Sequence, residues 1–250
     1  MEKGNEHQHL FARHTLTHVH NLMGRTPAVA HYLHAQPPGK DVVVNEAYDY
    51  LGITHDFYWR VFQRNSLDAK GLPLAGTVHY SSAYQNAFWD GEPMVFGDDD
   101  GEIFSRFTIA LDVVVHELAH GVTEHEANLI YFEQVGSLNE SLSDVFGSLV
   151  KQYHLQQTAQ QADWLIGAGL LADGIHGDGL RSMPATGTAY DDPVLGKDPQ
   201  PADMVGFVHT REDNGGVHIN SGIPNRAFYL TAIALGGNAW EKAGTICMLR

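Results

Sequence analysis

A chain of 250 residues with 43% hydrophobic side chains can bury a sizeable core as one large domain or two small ones. Its 30 acidic residues against 15 Lys and Arg leave a formal net charge of −15, which argues against nucleic acid as a partner and favours a cation as guest. A single cysteine, Cys247, excludes an internal disulfide, and no run reaches the roughly 18 apolar residues of a membrane span.

The N-terminus lacks the apolar core of a secretory signal, so export is not written in this sequence. Residues 1–40 hold seven of the 16 histidines. Leu10–Met23 (LFARHTLTHVHNLM) is expected to form an amphipathic helix closed by Gly24, with His14 and His18 one turn apart but no third ligand beside them. Pro37 and Pro38, within Ala35–Lys40, mark a linker and a boundary. Asn45–Arg64 carries Ala47, Tyr50, Leu51, Phe57, Tyr58, Val61 and Phe62 at helical spacing, which predicts a helix packed on the core. Leu74–Phe96 alternates among Gly and Pro and predicts short antiparallel strands. Gly97–Glu102 (GDDDGE) lacks the calcium-loop spacing and predicts a hairpin turn.

Val113–Val122 (VVVHELAHGV) places His116 and His120 four positions apart, so on a helix both imidazoles leave one face and can share a metal. Glu117 stands next to the first of them, where a carboxylate can take a proton from water at the metal's open position. Ser137–Tyr153 (SLNESLSDVFGSLVKQY) predicts a second helix with Leu142, Val145, Phe146, Leu149 and Val150 on its buried stripe. Ser137 and Glu140 fit a capping box, S-x-x-E. Alternatively Glu140 ligates a metal while Asp144, four residues on along the same face, orients a ligand imidazole. Capping alone leaves Asp144 and Asn139 without a reason.

Gly167–Asp203, rich in Gly, Pro and Asp, predicts a long surface loop region. Asp213–Gly222 (DNGGVHINSG) reads as a Gly-rich turn delivering His218, followed by a helix with Pro224 near its first turn and Gly236 past its end. Asp213 is placed to hold the His218 imidazole protonated, which suits an oxyanion stabiliser.

With HELAH, NESLSD and DNGGVHINSG in this order, the sequence from about Val42 onward resembles the thermolysin-like (M4) zinc metallopeptidases, and within them the protealysin group. The resemblance implies an α+β fold of zincin type with two lobes. Residues 41–123 would form a β-rich N-terminal lobe ending in the HELAH helix, and residues 124–250 a mainly helical C-terminal lobe, apparently truncated. It implies one zinc ion on His116, His120 and Glu140, with Glu117 as general base and with Asp144 and Asn139 bracing the ligand histidines. Tyr131 and His218 would stabilise the oxyanion, with Asp213 orienting His218. Asn86 and the Ala87 carbonyl would align the substrate backbone. Phe104, Phe107, Val113, Ile166, Leu180 and Arg181 would line the pocket for the residue after the cut, so the implied activity is endopeptidase cleavage on the amino side of bulky apolar residues.

The implied partners are a peptide or protein substrate and the chain's own propeptide, since residues 6–25 resemble the tail of a protealysin-type propeptide. Secretion is implied by the family, with a cytoplasmic location as the alternative. The alternatives are a truncated fragment that binds zinc or peptide without turnover, and a zinc aminopeptidase, against which stands the lack of a Gly-x-Met-Glu-Asn stretch before the metal helix. Calcium is doubtful. Of five carboxylate positions that hold a calcium pair in thermolysin, this sequence matches Asp112 and Asp163 and replaces the others with Lys151, Leu165 and Ala168, so Lys151 is expected to stand in for the ion.

Overall fold

The computed structural model describes residues 17–21, 39–81, 84, 86–89, 93–97 and 101–248. The first part of the chain builds a sheet backed by a helix: β1 (Thr17–Asn21), α1 (Val42–Phe62), β2 (Leu74–Tyr80), β3 (Ala87–Trp89) and β4 (Pro93–Gly97), with strand order β1-β2-β4-β3. Asp41 starts α1 by accepting from the backbone N–H groups of Val43 and Val44 at 3.1 and 3.4 Å, satisfying donors that a helix start leaves orphaned. Gln63, in the left-handed conformation at φ 56°, ends it. Between these caps α1 buries Val44, Ala47, Leu51, Phe57 and Tyr58, of which Val44, Leu51 and Phe57 each contribute about 1.5–3 kcal/mol by leaving water.

Two expectations are corrected here. Thr17–Asn21 falls inside the stretch expected to be helical, yet it is a strand paired in parallel with β2, Thr17 opposite Leu74. The edge of β2 offers these five residues a full row of backbone partners, and pairing with it overrides the helical pattern of the sequence. The rest of Leu10–Met23 lies outside the described residues, as do Ala35–Pro38 and the middle of Gly97–Glu102. The sheet is also mixed: β2 runs parallel to both β1 and β4, and only β3 is antiparallel, to β4. Alternation shows that a segment is a strand, whereas direction is decided by the connection between strands.

A short 3-10 turn, Phe107–Ile109, leads into α2 (Leu111–Glu126), which packs along α3 (Glu133–Leu155). The run Val113–Val115 is a poor intrinsic helix former, but α2 is buried nearly all round, and burial overrides propensity. The two helices meet closely at Gly147, where a Cβ would lie 2.5 Å from the Asp112 carbonyl oxygen. α3 starts at Glu133 with Phe132 as N-cap, so the capping box expected of Ser137 and Glu140 does not exist. Ser137 lies one turn inside and donates to the Glu133 carbonyl at 3.0 Å, which leaves Glu140 to another task.

Gly167–Asp203 is irregular apart from two-residue strands, β6 (Arg181–Ser182), which pairs with β5 (Leu165–Ile166) just ahead of the stretch, and β7 (Asp191–Asp192) with β8 (Gly196–Lys197). A second short 3-10 turn, Met204–Gly206, precedes α4 (Asp213–Asn220), α5 (Gly222–Leu235) and α6 (Ala243–Met248). Edge-to-face contacts join Phe57 and Phe62 of α1 to Tyr153 and Phe146 of α3, and Tyr153 to Trp240 ahead of α6. Among the described residues the architecture is α+β, sheet first and helices after, and no helix is long and apolar enough to cross a membrane.

Candidate metal centre

The close packing of α2 on α3 brings His116 and His120 against Glu140. The two Nε2 atoms are 3.1 Å apart, His116 Nε2 lies 3.3 Å from Glu140 Oε2, and His120 Nε2 lies 3.4 Å from Glu140 Oε1. These separations match the edge of about 3.3 Å between ligands of a tetrahedral ion bonded at about 2.0–2.1 Å. Glu140 Oε2 is buried and has no hydrogen-bond partner, an orphan that a cation would satisfy. Two imidazoles and one carboxylate form the donor set of an open zinc site. Among the described residues this is the one such grouping of His, Cys, Asp or Glu.

The outward nitrogen of each imidazole is held from behind. His116 Nδ1 meets Asp144 Oδ1 at 2.8 Å, and His120 Nδ1 meets Asn139 Oδ1 at 2.9 Å with Ser143 Oγ at 3.2 Å. A donor bond from Nδ1 leaves each Nε2 as a lone pair directed at the centre. Asp144 is fully buried and is clamped by Arg181, Nε to Oδ2 and Nη2 to Oδ1, both at 2.7 Å. Burial works against its charge, but the Arg181 guanidinium and the His116 bond hold Asp144 down at about 2. Glu140 is likewise held well below the carboxylate range against its burial, by the imidazoles of His116, His218 and His120 around it. Burial pushes the Glu117 carboxyl up to about 7, a shift that a cation on the trio would pull back down.

On the far side, α4 opens with four consecutive left-handed residues, Asp213, Asn214, Gly215 and Gly216, at φ 52°, 49°, 87° and 80°. Glycine at two of them removes the Cβ penalty, and the tight turn aims His218 back over the centre. Asp213 accepts from both the backbone N–H of His218, at 2.9 Å, and its Nδ1. His218 Nε2 stands 3.1 Å from the Tyr131 hydroxyl, which also donates to Glu140 Oε1. Gln200 Nε2 and Ser221 Oγ both donate to the His218 carbonyl, at 2.8 and 2.9 Å, fastening the turn from below.

A cavity of about 220 Å³ opens beside the trio, lined by Asn86, Ala87, Phe104, Phe107, Val113, His116, Glu117, Leu180, Arg181 and His218. Ile166, expected among the wall residues, does not line it. Its side chain is fully buried, and it supports the wall through the backbone, pairing with Arg181 and accepting from the Leu180 N–H at 2.8 Å. The sequence reading missed Ser143 and Gln200, because small polar residues at such spacing are common on any surface and only the fold shows what they face. It also passed over Asn225, whose partner is 81 residues away. Lys151, by contrast, stands where expected, with Nζ 3.0 Å from Asp112 Oδ2, 3.1 Å from Asp163 Oδ1 and 3.1 Å from the Leu165 carbonyl.

Residues 24–124 match the family model of the thermolysin metallopeptidase catalytic domain, and residues 127–249 match that of its α-helical domain. The chain is 75% identical over 211 residues to an extracellular metalloprotease of Pectobacterium carotovorum, covering 84% of this chain and 61% of that one. It is 48% identical over 275 residues to the extracellular minor metalloprotease of Serratia marcescens, covering 96% of this chain and 76% of that one. A solved structure, the precursor of the metalloproteinase protealysin from Serratia proteamaculans, superposes with a TM-score of 0.91 at 67% identity, over 93% of this chain and 73% of that one. The chain thus spans somewhat less than two thirds of the Pectobacterium relative.

Proposed function

From the premise that this chain belongs to the thermolysin-like metallopeptidases, protealysin group, we propose that it is a zinc-dependent endopeptidase cutting on the amino side of bulky apolar residues. The observation that carries the reading is the His116–His120–Glu140 trio, buried but for part of His120, with Glu117 and His218 in the wall of one cavity. Zinc, when bound there, supplies a Lewis acid that polarises the scissile carbonyl and brings the pKa of water from 15.7 toward about 7. Glu117 then takes the proton of the attacking water and passes it to the leaving amine, so that this carboxylate serves as base and afterwards as acid. His218, held by Asp213, and the Tyr131 hydroxyl donate to the oxyanion of the tetrahedral intermediate. Loss of either donor should cost about 3 kcal/mol in the barrier, roughly a hundredfold in rate.

The edge strand β3 suits an extended substrate. Asn86 and Ala87 line the cavity at its start, where an amide side chain and backbone groups can pair with the peptide as an added strand. Phe104, Phe107, Val113 and Leu180 offer an apolar pocket for the side chain after the cut, with Arg181 at its wall. One methylene there is worth only about 1–3 kcal/mol, so the preference is broad.

The names of the similar proteins, extracellular metalloproteases and a precursor, support secretion and a propeptide within residues 1–40 as a further partner. β1 lies in that segment and takes the sheet edge opposite β3, away from the proposed substrate strand. Hydrolysis of an internally quenched peptide that stops on adding a chelator and returns with zinc supports the reading. A folded, zinc-loaded chain without turnover favours the non-catalytic alternative.

A further inference from the structure

Asp144 receives four hydrogen bonds, and the last comes from a residue that touches neither the metal ligands nor the cavity. His116 Nδ1 and Arg181 Nη2 reach Oδ1 at 2.8 and 2.7 Å, and Arg181 Nε and Asn225 Nδ2 reach Oδ2, both at 2.7 Å. A carboxylate offers about four lone-pair sites, so the four donors fill it. Without Asn225 one site on Oδ2 is open, and the carboxylate can tip about the Arg181 fork.

Asn225 is fully buried, and its own Oδ1 is buried without a partner. An unmet buried carbonyl is a penalty that an apolar side chain of similar volume would not carry. The amide cannot relieve it by turning over, because that would set its carbonyl oxygen against the Asp144 carboxylate. Asn225 therefore holds a strained polar position in return for one directed N–H. Its place in the chain adds a second consequence. α5 buries only Gly222, Asn225 and Ala232, and Asn225 is the one of these with a polar side chain. It stands seven residues after His218, so the segment that carries His218 over the centre is tied to the carboxylate behind it.

We propose that Asn225 is a positioning residue of the metal centre. By completing the Asp144 shell it locks the His116 ring plane and keeps the His116 proton on Nδ1, leaving Nε2 to the metal. This rests on the reading of His116, His120 and Glu140 as zinc ligands. Groups that orient a ligand histidine set metal affinity by factors of about 10 to 100, and one step further out the lower figure applies.

Zinc affinity by chelator competition, with folding followed by near-ultraviolet circular dichroism, tests this on the whole chain. Asn225→Ala should weaken zinc binding about tenfold and alter the visible absorption of the cobalt-loaded protein, which reads ligand geometry. Asn225→Ser, with a shorter stem that keeps a donor, should fall between it and the wild type. In an Asp144→Ala background, Asn225→Ala should add nothing, because its effect travels through Asp144. A folded Asn225→Ala protein with zinc affinity within twofold of wild type and an unaltered cobalt spectrum overturns the inference, as does an Asn225→Ser protein that binds zinc more weakly than Asn225→Ala. So does a tenfold loss that persists in the Asp144→Ala background. A wild-type chain that takes up no zinc overturns the zinc reading and this inference with it, a result distinct from unchanged affinity in the variants.

Discussion

The Lys151 ammonium lies 3.0 Å from the Asp112 carboxylate, so a side chain of α3 neutralises the first turn of α2. Asp112 is almost wholly buried, its Oδ1 also accepts from the Gly167 N–H, and Lys151 reaches on to Asp163 and the Leu165 carbonyl. One internal cation thereby joins two helices and the start of the long loop region. Removing it strands a buried carboxylate. Lys151→Ala is expected to destabilise the fold by about 3 kcal/mol, the lower end for breaking a buried pair because Asp163 is half exposed. A calcium-selective chelator should leave the wild-type melting temperature unchanged. An unaltered melting temperature in Lys151→Ala, or a fall in the wild type on calcium chelation, would count against the ammonium as the internal cation.

The same contact sets an alkaline limit. Burial alone would lower the Lys151 pKa, but Asp112 and Asp163 raise it above the ordinary 10.5. The folded state therefore binds this proton more tightly than the unfolded chain. Its contribution to stability is whole below the unfolded value and is lost as pH rises through the folded one. Urea melts between pH 8 and 11 should show wild type losing stability faster than Lys151→Ala at the alkaline end. Parallel curves would contradict it.

Within the HELAH helix, ligand and base separate cleanly by metal content. Glu117→Ala is expected to bind zinc at near-normal stoichiometry while losing hydrolysis, because its carboxylate moves protons and is not among the three ligands. His120→Ala should lose the metal. Metal analysis beside the peptide assay checks both, and an active Glu117→Ala protein would sink the proposed mechanism.

Cleavage preference should follow the cavity wall. Product sequencing is expected to find Leu, Ile or Phe after most cuts, and Leu180→Ala should shift the ratio of Phe to Leu by no more than about a hundredfold. Predominant cuts before Asp or Lys would refute the apolar pocket.

Much of the centre was legible in the chain itself, because local spacing is enough to place side chains on one face of a helix. His116 with His120, and Glu140 with Asp144, are each four apart, and helical geometry alone aligns each pair. The turn at Asp213–Gly216 announced itself through residues suited to left-handed backbone. What spacing cannot supply is which face meets which across long separations. That Ser137 lies inside α3, that β2 runs parallel to both neighbours, and that Thr17–Asn21 prefers a sheet edge to a helix were decided by packing and by the demand for backbone partners. Ile166 moved out of the cavity wall for the same reason, since a two-residue strand turns alternate side chains to opposite faces. Asn225 is the clearest case. Nothing near it in sequence is acidic, and only the docking of α5 on α3 carries its amide to Asp144, where a buried carboxylate needed one more donor.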